Sequence, residues 1–247
     1  MKTIAFFNLK GGVGKTAGAV NTAYYATMDG YSTVLWDLDA QGAASWYLLG
    51  ERERQPGLEK IWSEKAPISK VLKESPYENL DVIGSAFSNR NADVLLSELG
   101  LKRMLLKRLA APLAENYDLL VLDCPPSLSR LTEQIFHACD AVVMPVIPTP
   151  LSLRAYTQVR DFMDKAGRPD TPLLPYYSMV DRRKRLHREW LESPPKELKK
   201  RLKTYIPYAS NIEQMGLRQA PVGEFAFSDV GGQALYALWQ EIEKKLK

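Results

Sequence analysis

Short runs of apolar residues alternate with amphipathic stretches along most of the 247-residue chain. Several runs, such as TVLWDLD, YDLLVLDC and DAVVMPVI, are apolar nearly throughout, which is typical of parallel strands buried on both faces. Strands that alternate with helices predict an α/β fold with a mostly parallel sheet. The predicted strands are Thr3–Asn8, Thr33–Asp39, Leu80–Gly84, Asp118–Cys124, Ala141–Ile147, Leu173–Val180 and Thr204–Pro207.

Apolar residues at helical spacing predict four longer helices between and after these strands. The stretch Glu51–Tyr77 is richer in proline and charge, and we expect short surface helices there. Because no repeat or long linker interrupts the chain, residues 1–247 are predicted to form a single domain, a twisted, mostly parallel sheet with helices on both faces. The predicted helices are Lys15–Met28, Asn91–Leu109, Leu151–Lys165 and Gln233–Leu246.

Composition and charge limit the classes of protein to which this chain can belong. No apolar run approaches the roughly 18 residues of a membrane helix, and Cys124 and Cys139 lack metal-ligand spacing. We therefore expect a soluble, cytoplasmic protein. Ten lysine or arginine residues and three glutamates between Arg182 and Lys203 give this basic block a charge of +7, in a chain whose net charge is +4. Such a block is either a surface for a polyanion or a solvated helical face.

The first predicted strand leads into NLKGGVGKTAG, from Asn8 to Gly18, and then into a predicted helix. The closing Gly-Lys-Thr fits the general phosphate-loop pattern, although Leu9 stands where that pattern has its first glycine. The three glycines let backbone N–H groups face phosphate oxygens, Lys15 reaches the β- and γ-phosphates, and Thr16 offers a hydroxyl to Mg²⁺. The predicted ATP contacts of the loop are Lys10, Gly11, Gly12, Val13, Gly14, Lys15, Thr16 and Ala17.

Three aspartates, Asp37, Asp39 and Asp123, each lie at the carboxyl end of a predicted strand. Carboxylates often cap strand ends as turn residues. Three of them beside a phosphate loop instead fit the crevice in which open α/β sheets bind ligands.

The loop resembles the deviant Walker A motif of the ParA/MinD family of P-loop ATPases, in which a signature lysine crosses a dimer interface to the partner's phosphates. Lys10 matches that lysine. VLWDLDAQG resembles the family's second motif, with Ala40 in the proline position, and LLVLDCPPSL resembles its Walker B region. The resemblance implies that the catalytic residues are Lys10, Lys15 and Asp39, with Asp39 orienting the attacking water, and that the metal residues are Thr16, Asp37 and Asp123.

The C-terminal third resembles the family's closing elements, which implies that Met179, Asp181 and Pro207 contact ATP on the adenine side. The basic block occupies the region through which ParA-like proteins bind DNA without sequence preference. Arg183 aligns with one DNA-contact arginine of the family, whereas Tyr208 to Asn211 lack a second one. The residues implied in DNA binding are Arg182, Arg183, Arg185, Lys199, Lys200, Arg201 and Lys203.

The resemblance implies a slow, Mg²⁺-dependent ATP hydrolase that forms a homodimer with ATP and binds nucleoid DNA non-specifically. It also implies stimulation by a ParB-like or cargo-adaptor protein, and a cargo that is a plasmid, a chromosome or a large protein assembly. A MinD-like, membrane-associated spatial regulator is the alternative, because the last predicted helix carries an apolar stripe. That stripe equally fits a helix that covers the sheet, so we expect a cytoplasmic, nucleoid-associated protein without membrane binding. The stripe consists of Leu235, Leu238, Trp239, Ile242 and Leu246.

Overall fold

The computed structural model describes residues 1–50, 59–85, 96 and 104–247. The strands within this part of the chain are β1 (Lys2–Phe6), β2 (Thr33–Asp37), β3 (Leu72–Glu74), β4 (Leu80–Ile83), β5 (Leu119–Asp123), β6 (Ala141–Val146), β7 (Leu173–Val180) and β8 (Tyr205–Pro207). They form one sheet in the order β3-β4-β2-β5-β1-β6-β7-β8. Only β3 runs antiparallel to its neighbour; the other pairs are parallel.

Helices connect the strands and cover both faces of the sheet. Single turns of 3-10 helix lie at Ile68–Val71, Ala111–Glu115 and Lys196–Leu198. The α-helices of the described residues are α1 (Lys15–Met28), α2 (Ala43–Leu49), α3 (Glu59–Trp62), α4 (Leu105–Ala110), α5 (Arg130–Ala138), α6 (Pro150–Lys165), α7 (Arg185–Glu192), α8 (Ser210–Glu213), α9 (Met215–Arg218), α10 (Val222–Ala226) and α11 (Val230–Leu246).

The predicted α/β fold is confirmed, and each predicted strand corresponds to a strand of the sheet. Strand β3 was not predicted, because it is only three residues long and lies at the edge of the sheet, where no buried apolar run marks it. The helix predicted at Asn91–Leu109 lies largely outside the described residues. Its last part, from Leu105 onward, belongs to α4.

Within the basic block, the spacing of Leu198 and Leu202 in PPKELKKRLK predicts an amphipathic helix whose other face carries the lysines and Arg201. That prediction is wrong, because only the turn Lys196–Leu198 is helical there. The neighbouring elements take the backbone donors that a helix would need. Leu202 N–H donates to Pro175 O in β7 at 2.8 Å, and the amides of Lys203 and Thr204 donate to the Glu241 carboxylate. Leu198 and Leu202 are nevertheless both buried, as the predicted pattern requires.

Alternate residues of the strands point into two apolar layers. One layer packs β-strand residues such as Trp36 and Leu122 against α5 and α6. The opposite layer packs residues such as Leu35 and Val121 against α1 and α11. Each central strand therefore faces apolar neighbours on both sides, which explains its nearly continuous apolar sequence.

The apolar stripe of α11 is part of the second layer. Leu235, Leu238, Trp239 and Ile242 are buried, and Asp29 at the end of α1 accepts hydrogen bonds from Trp239 Nε1 at 2.8 Å and from a neighbouring tyrosine hydroxyl. These contacts hold α11 against α1. Across the described ranges, no helix combines the length and the apolar character that crossing a bilayer requires.

Candidate nucleotide-binding site

The loop between β1 and α1 is fixed at its entry by a buried asparagine. Asn8 Nδ2 donates to Pro145 O at 2.6 Å, and its Oδ1 accepts the N–H of Lys10 at 2.9 Å. Gly12 and Gly14 have φ angles of 67° and 93°, in the left-handed region that favours glycine. A Cβ atom at Gly14 would also lie 2.9 Å from Ser178 Oγ. The sequence therefore needs glycine at position 14 both for the turn and for the approach of β7.

Lys15 is the first residue of α1, and its side chain folds back over this loop. It is 7% exposed, and Nζ donates to Lys10 O at 3.1 Å. Burial lowers its pKa, while the nearby carboxylates of Asp123 and Asp39 act in the opposite direction. An ammonium group held inside a turn of backbone N–H donors is suited to bind a phosphate.

Asp123 ends the central strand β5 beside this loop. Both of its carboxylate oxygens are buried, and neither accepts a hydrogen bond within the usual distance and angle limits from any described residue. Burial raises its pKa well above the ordinary value, as does the charge of Asp37, whereas the Thr16 hydroxyl and Lys15 lower it. An unsatisfied buried carboxyl beside a hydroxyl is the oxygen donor set that Mg²⁺ prefers.

Asp123 and Thr16 therefore fit a Mg²⁺ ion that is also held by phosphates and water. The described residues contain no group of three or more histidine, cysteine, aspartate or glutamate side chains that could hold a metal on their own. This agrees with the usual Mg²⁺ site of phosphate-binding proteins, where one or two carboxylates suffice.

Asp37 pairs in register with Asp123 across β2 and β5, but its carboxylate is already engaged. It accepts Ser45 N–H at 2.9 Å, Ser45 Oγ–H at 2.7 Å and Asp39 N–H at 3.2 Å. Burial raises its pKa to about 6, against the effect of the bonds from Ser45. Asp37 therefore anchors the start of α2, and its predicted place in the metal site stays a prediction.

Asp39 lies two residues beyond, on the half-buried loop between β2 and α2. Its Oδ1 accepts Gln41 N–H at 2.9 Å, and it is close enough to Lys15 to influence the pKa of that ammonium. Asp39, Lys15 and Asp123 thus surround one point at the carboxyl edge of the sheet, where the sequence predicted a site.

A cavity of about 370 Å³ extends from the phosphate loop to the end of β8. Met179 and Pro207, two of the residues predicted on the adenine side, line it. Met179 has a φ angle of 53° at an irregular point of the β7–β8 pairing, which opens the strand edge there. Outside the segment from Asn8 to Gly18, the lining residues that the sequence did not predict are Ala43, Tyr47, Tyr176, Ser178, Ile206, Tyr208, Ala209, Ile212, Glu213 and Leu235.

The missed residues come from α2, β7, β8, α8 and α11, so no local motif contains them. Asp181, predicted as an ATP contact, does not line the cavity. Its carboxylate is bound by the Arg183 guanidinium at 2.9 and 3.0 Å, which explains its lowered pKa of about 2. Asp181 therefore supports the loop that carries Arg183, and its predicted contact with ATP stays a prediction.

Lys10 is half-buried at the start of the loop and is not among the cavity-lining residues. Val13 is also separate from the cavity, since its side chain is buried in the protein. Among the predicted loop contacts, the cavity is lined by Gly12, Gly14, Lys15, Thr16 and Ala17.

The basic block lies beside β7 and β8, and most of its cations are exposed. Arg183 pairs with Asp181 and Arg185 with Glu189, yet both arginine side chains remain 86% exposed. Arg201, predicted to bind DNA, differs: its guanidinium lies 4.6 Å from the centre of the Tyr177 ring and donates to Leu191 O. The exposed members are Arg182, Arg183, Lys184, Arg185, Arg188, Lys196, Lys199, Lys200 and Lys203.

Comparison with known proteins identifies the family of this chain. The model of an AAA domain family, AAA_31, matches residues 1–170. The chromosome-partitioning ATPase Soj of Treponema pallidum is 28% identical over 246 residues, which cover 98% of this chain and 96% of that protein. The sporulation initiation inhibitor protein Soj of Bacillus subtilis is 36% identical over 146 residues, which cover 59% of this chain and 58% of that protein.

Among solved structures, that of a Cyanothece McdA variant in complex with ATP has a TM-score of 0.85 at 17% identity. The match covers 98% of this chain and 96% of that one, and at this identity it shows a shared fold. The family match spans well over half of the chain, and it contains the phosphate loop and the aspartates at the ends of β2 and β5. The chain therefore belongs to the AAA_31 domain family and is a member of the ParA/MinD family of ATPases.

Proposed function

We propose that the protein is a ParA-like ATPase that hydrolyses ATP slowly, dimerises with ATP bound, and positions a cargo along DNA. The observation that carries this proposal is the cavity itself. One continuous space joins the phosphate loop to an apolar far end that suits a nucleoside, and the buried carboxyl of Asp123 lies close to Lys15 and Thr16 of that loop. Its two ends are supplied by β1–α1 and by β7–β8, so the fold has to be complete for ATP to bind.

Mg²⁺ would be held by Thr16 and Asp123 together with the phosphates, and it would supply charge neutralisation for phosphoryl transfer. Lys15 contributes a second positive charge to the same phosphates. Asp39 orients the attacking water from the loop that follows β2. This set of groups does not include a strong base, which fits slow basal hydrolysis.

Lys10 supports the proposal of an ATP-dependent homodimer. It does not line its own cavity, and the adjacent Gly11 and Gly12 are exposed. A cation at that position reaches the phosphates of a second copy more readily than its own. Closing the dimer would then place two lysines of different origin, Lys15 and Lys10, on each nucleotide.

The exposed cations of the basic block support non-specific DNA binding. Lys199, Lys200 and Lys203 are exposed on irregular backbone rather than along a helix, which suits contact with phosphates more than reading of base edges. The ion pairs of Arg183 and Arg185 are surface pairs of small energetic value, so DNA phosphates can compete for both arginines.

The membrane alternative receives less support. The apolar stripe of α11 is buried against α1 and the sheet, so membrane insertion would require this helix to undock. We propose a cytoplasmic, nucleoid-associated protein whose hydrolysis is stimulated by a ParB-like or cargo-adaptor partner. Plasmids, chromosomes and large protein assemblies all remain possible cargoes of the proposed activity.

A comparison of DNA and liposome binding tests the proposal. The protein is mixed with ATP or ADP and Mg²⁺, then assayed by gel retardation of duplex DNA and by pelleting with anionic liposomes. We expect DNA retardation only with ATP, and an affinity that falls with salt at a log–log slope of about −0.9 per phosphate contact.

The variant Arg183→Glu/Arg185→Glu is expected to lose retardation of DNA of any sequence and to keep its basal ATPase rate. A matched charge reversal of Lys107 and Arg108, two exposed cations of α4, serves as the control. Unchanged DNA binding by the Arg183/Arg185 variant would show that the basic block is a solvated surface that does not contact DNA. ATP-dependent pelleting with liposomes would favour the membrane alternative instead.

A further inference from the structure

Two serines outside the phosphate loop connect the ends of β2 and β4 beside Asp39. Ser85, two residues beyond β4, donates its hydroxyl to Asp39 O at 2.5 Å, and its N–H donates to Ser45 Oγ at 2.7 Å. Ser45 in α2 in turn donates its hydroxyl to the Asp37 carboxylate at 2.7 Å. We call these four hydrogen-bonded residues, Asp37, Asp39, Ser45 and Ser85, the serine clasp.

The serine clasp fixes the main chain of Asp39 at both of its polar groups. Asp39 N–H donates to Asp37 Oδ1 at 3.2 Å, and Asp39 O accepts Gly42 N–H at 3.0 Å in addition to the Ser85 hydroxyl. The Asp39 side chain, by comparison, accepts only Gln41 N–H among the described residues. The backbone contacts therefore fix the main-chain position from which the carboxylate extends.

The clasp also orders a loop that contains no proline. With Ala40 at its centre, the loop from Leu38 to Gly42 contains no residue whose φ angle is fixed. The entropy that this loop loses on folding must therefore be offset by contacts with other parts of the chain. Ser85 supplies such a contact from a different strand. Ser85 lies against this loop, since a Cβ atom at position 42 would be in ordinary contact with Ser85 Cβ, at 3.5 Å.

We propose that Ser85 and Ser45 are positioning residues for ATP hydrolysis, which hold Asp39 where it orients the attacking water. This inference rests on the proposed ATPase function. Because reacting groups that are displaced by about 1 Å can lose about 100-fold in rate, a loosened Asp39 should slow the hydrolysis step without weakening ATP binding.

The test compares Ser85→Ala, Ser85→Thr and the control Ser75→Ala. Ser75 is another half-buried serine whose hydroxyl donates to a backbone carbonyl, at the opposite end of β4. For Ser85→Ala we expect kcat to fall about tenfold with KM for ATP within about twofold. Ser85→Thr keeps a hydroxyl and should restore most of the rate, and Ser75→Ala should match the wild type.

Hydrogen exchange of the nucleotide-free protein gives a second readout that does not need ATPase activity. In Ser85→Ala the amides of Gly42 and Ser45 should exchange about fivefold faster, because one hydrogen bond that orders their loop is lost. Ser45→Ala should accelerate the same amides, and the double variant should add little. The Ser75→Ala protein should leave them unchanged.

The two readouts separate the possible failures. Faster exchange with a reduced kcat supports the clasp, and wild-type exchange with wild-type kcat in Ser85→Ala overturns it. A kcat loss that Ser85→Thr does not restore, or a loss that appears equally in KM, also contradicts a positioning role. If the wild-type protein hydrolyses no ATP, the proposed function fails, and hydrogen exchange alone then decides whether Ser85 orders the Asp39 loop.

Discussion

At the scale of single residues, Asp39 and Asp123 differ in solvent exposure and in the hydrogen bonds that their carboxylates accept. The carboxylate of Asp123 is fully buried and accepts no hydrogen bond of usual geometry from the described residues. Asp39 is half-buried on a loop, and its carboxylate accepts the N–H of Gln41. The first arrangement suits a group that completes its shell with a ligand. The second suits a group that contacts water.

We therefore expect Asp39→Ala to bind ATP with nearly wild-type affinity and to hydrolyse it about 100-fold more slowly, since positioning of water contributes a factor of this order. Equilibrium titration with a fluorescent ATP analogue measures the first quantity, and phosphate release measures the second. Turnover at the wild-type rate would remove Asp39 from the proposed mechanism.

The sequence identifies the phosphate loop because its glycines, Lys15 and Thr16 are consecutive, and each has a local physical reason. It cannot separate the role of Asp37 from that of Asp123, since both end buried strands. The difference depends on Ser45, which engages one carboxylate and not the other. Likewise, the sequence does not show that the Asp181 carboxylate accepts hydrogen bonds from the Arg183 guanidinium.

At the scale of secondary-structure elements, strands that are buried on both faces can be predicted from the sequence, because short, continuous apolar runs are typical of such strands. The stretch PPKELKKRLK is misread because β7 and Glu241 take its backbone donors, and these partners are distant in the chain. The far end of the nucleotide cavity is equally non-local. It forms only when β7, β8 and α8 come to lie beside α1.

The turn that carries the basic block depends on a buried histidine of α7. His187 Nδ1 accepts the N–H of Asp181 at 3.0 Å, so this nitrogen must be unprotonated. Burial lowers the pKa of His187, as does the nearby Lys184, while Asp181 acts in the opposite direction. The unfolded chain therefore takes up this proton at a higher pH than the folded one, and folding is weakened as the pH falls below about 6.5.

We expect the free energy of unfolding to fall more between pH 7.5 and 5.5 in the wild-type protein than in His187→Gln, whose amide oxygen can accept the same bond at either pH. Urea unfolding at the two pH values measures the difference. The comparison between variants cancels the other titrating groups. An identical pH dependence in both proteins would show that His187 does not couple protonation to this turn.

At the scale of the whole molecule, the nucleotide face and the basic block are adjacent. Met179 lines the cavity two residues before Asp181, and Asp181 binds Arg183. Tyr208, directly after β8, also lines the cavity. A dimer closed over ATP would bring two copies of the +7 block into one footprint. This gives a physical reason to expect that ATP controls DNA binding, since affinity grows with the number of phosphates neutralised.

ATP-dependent dimerisation, as proposed, requires that Lys10 acts on the nucleotide of a second copy. Sedimentation velocity with ATP and Mg²⁺ tests this directly in the slowly hydrolysing Asp39→Ala background, with Lys10→Ala or Lys2→Ala added. Lys2 is an exposed lysine at the opposite end of β1, and Lys15→Ala provides the nucleotide-free reference. We predict a dimer for Asp39→Ala alone and with Lys2→Ala, and a monomer when Lys10→Ala or Lys15→Ala is added. A dimer that persists without Lys10, or a monomer in every variant, would contradict the account.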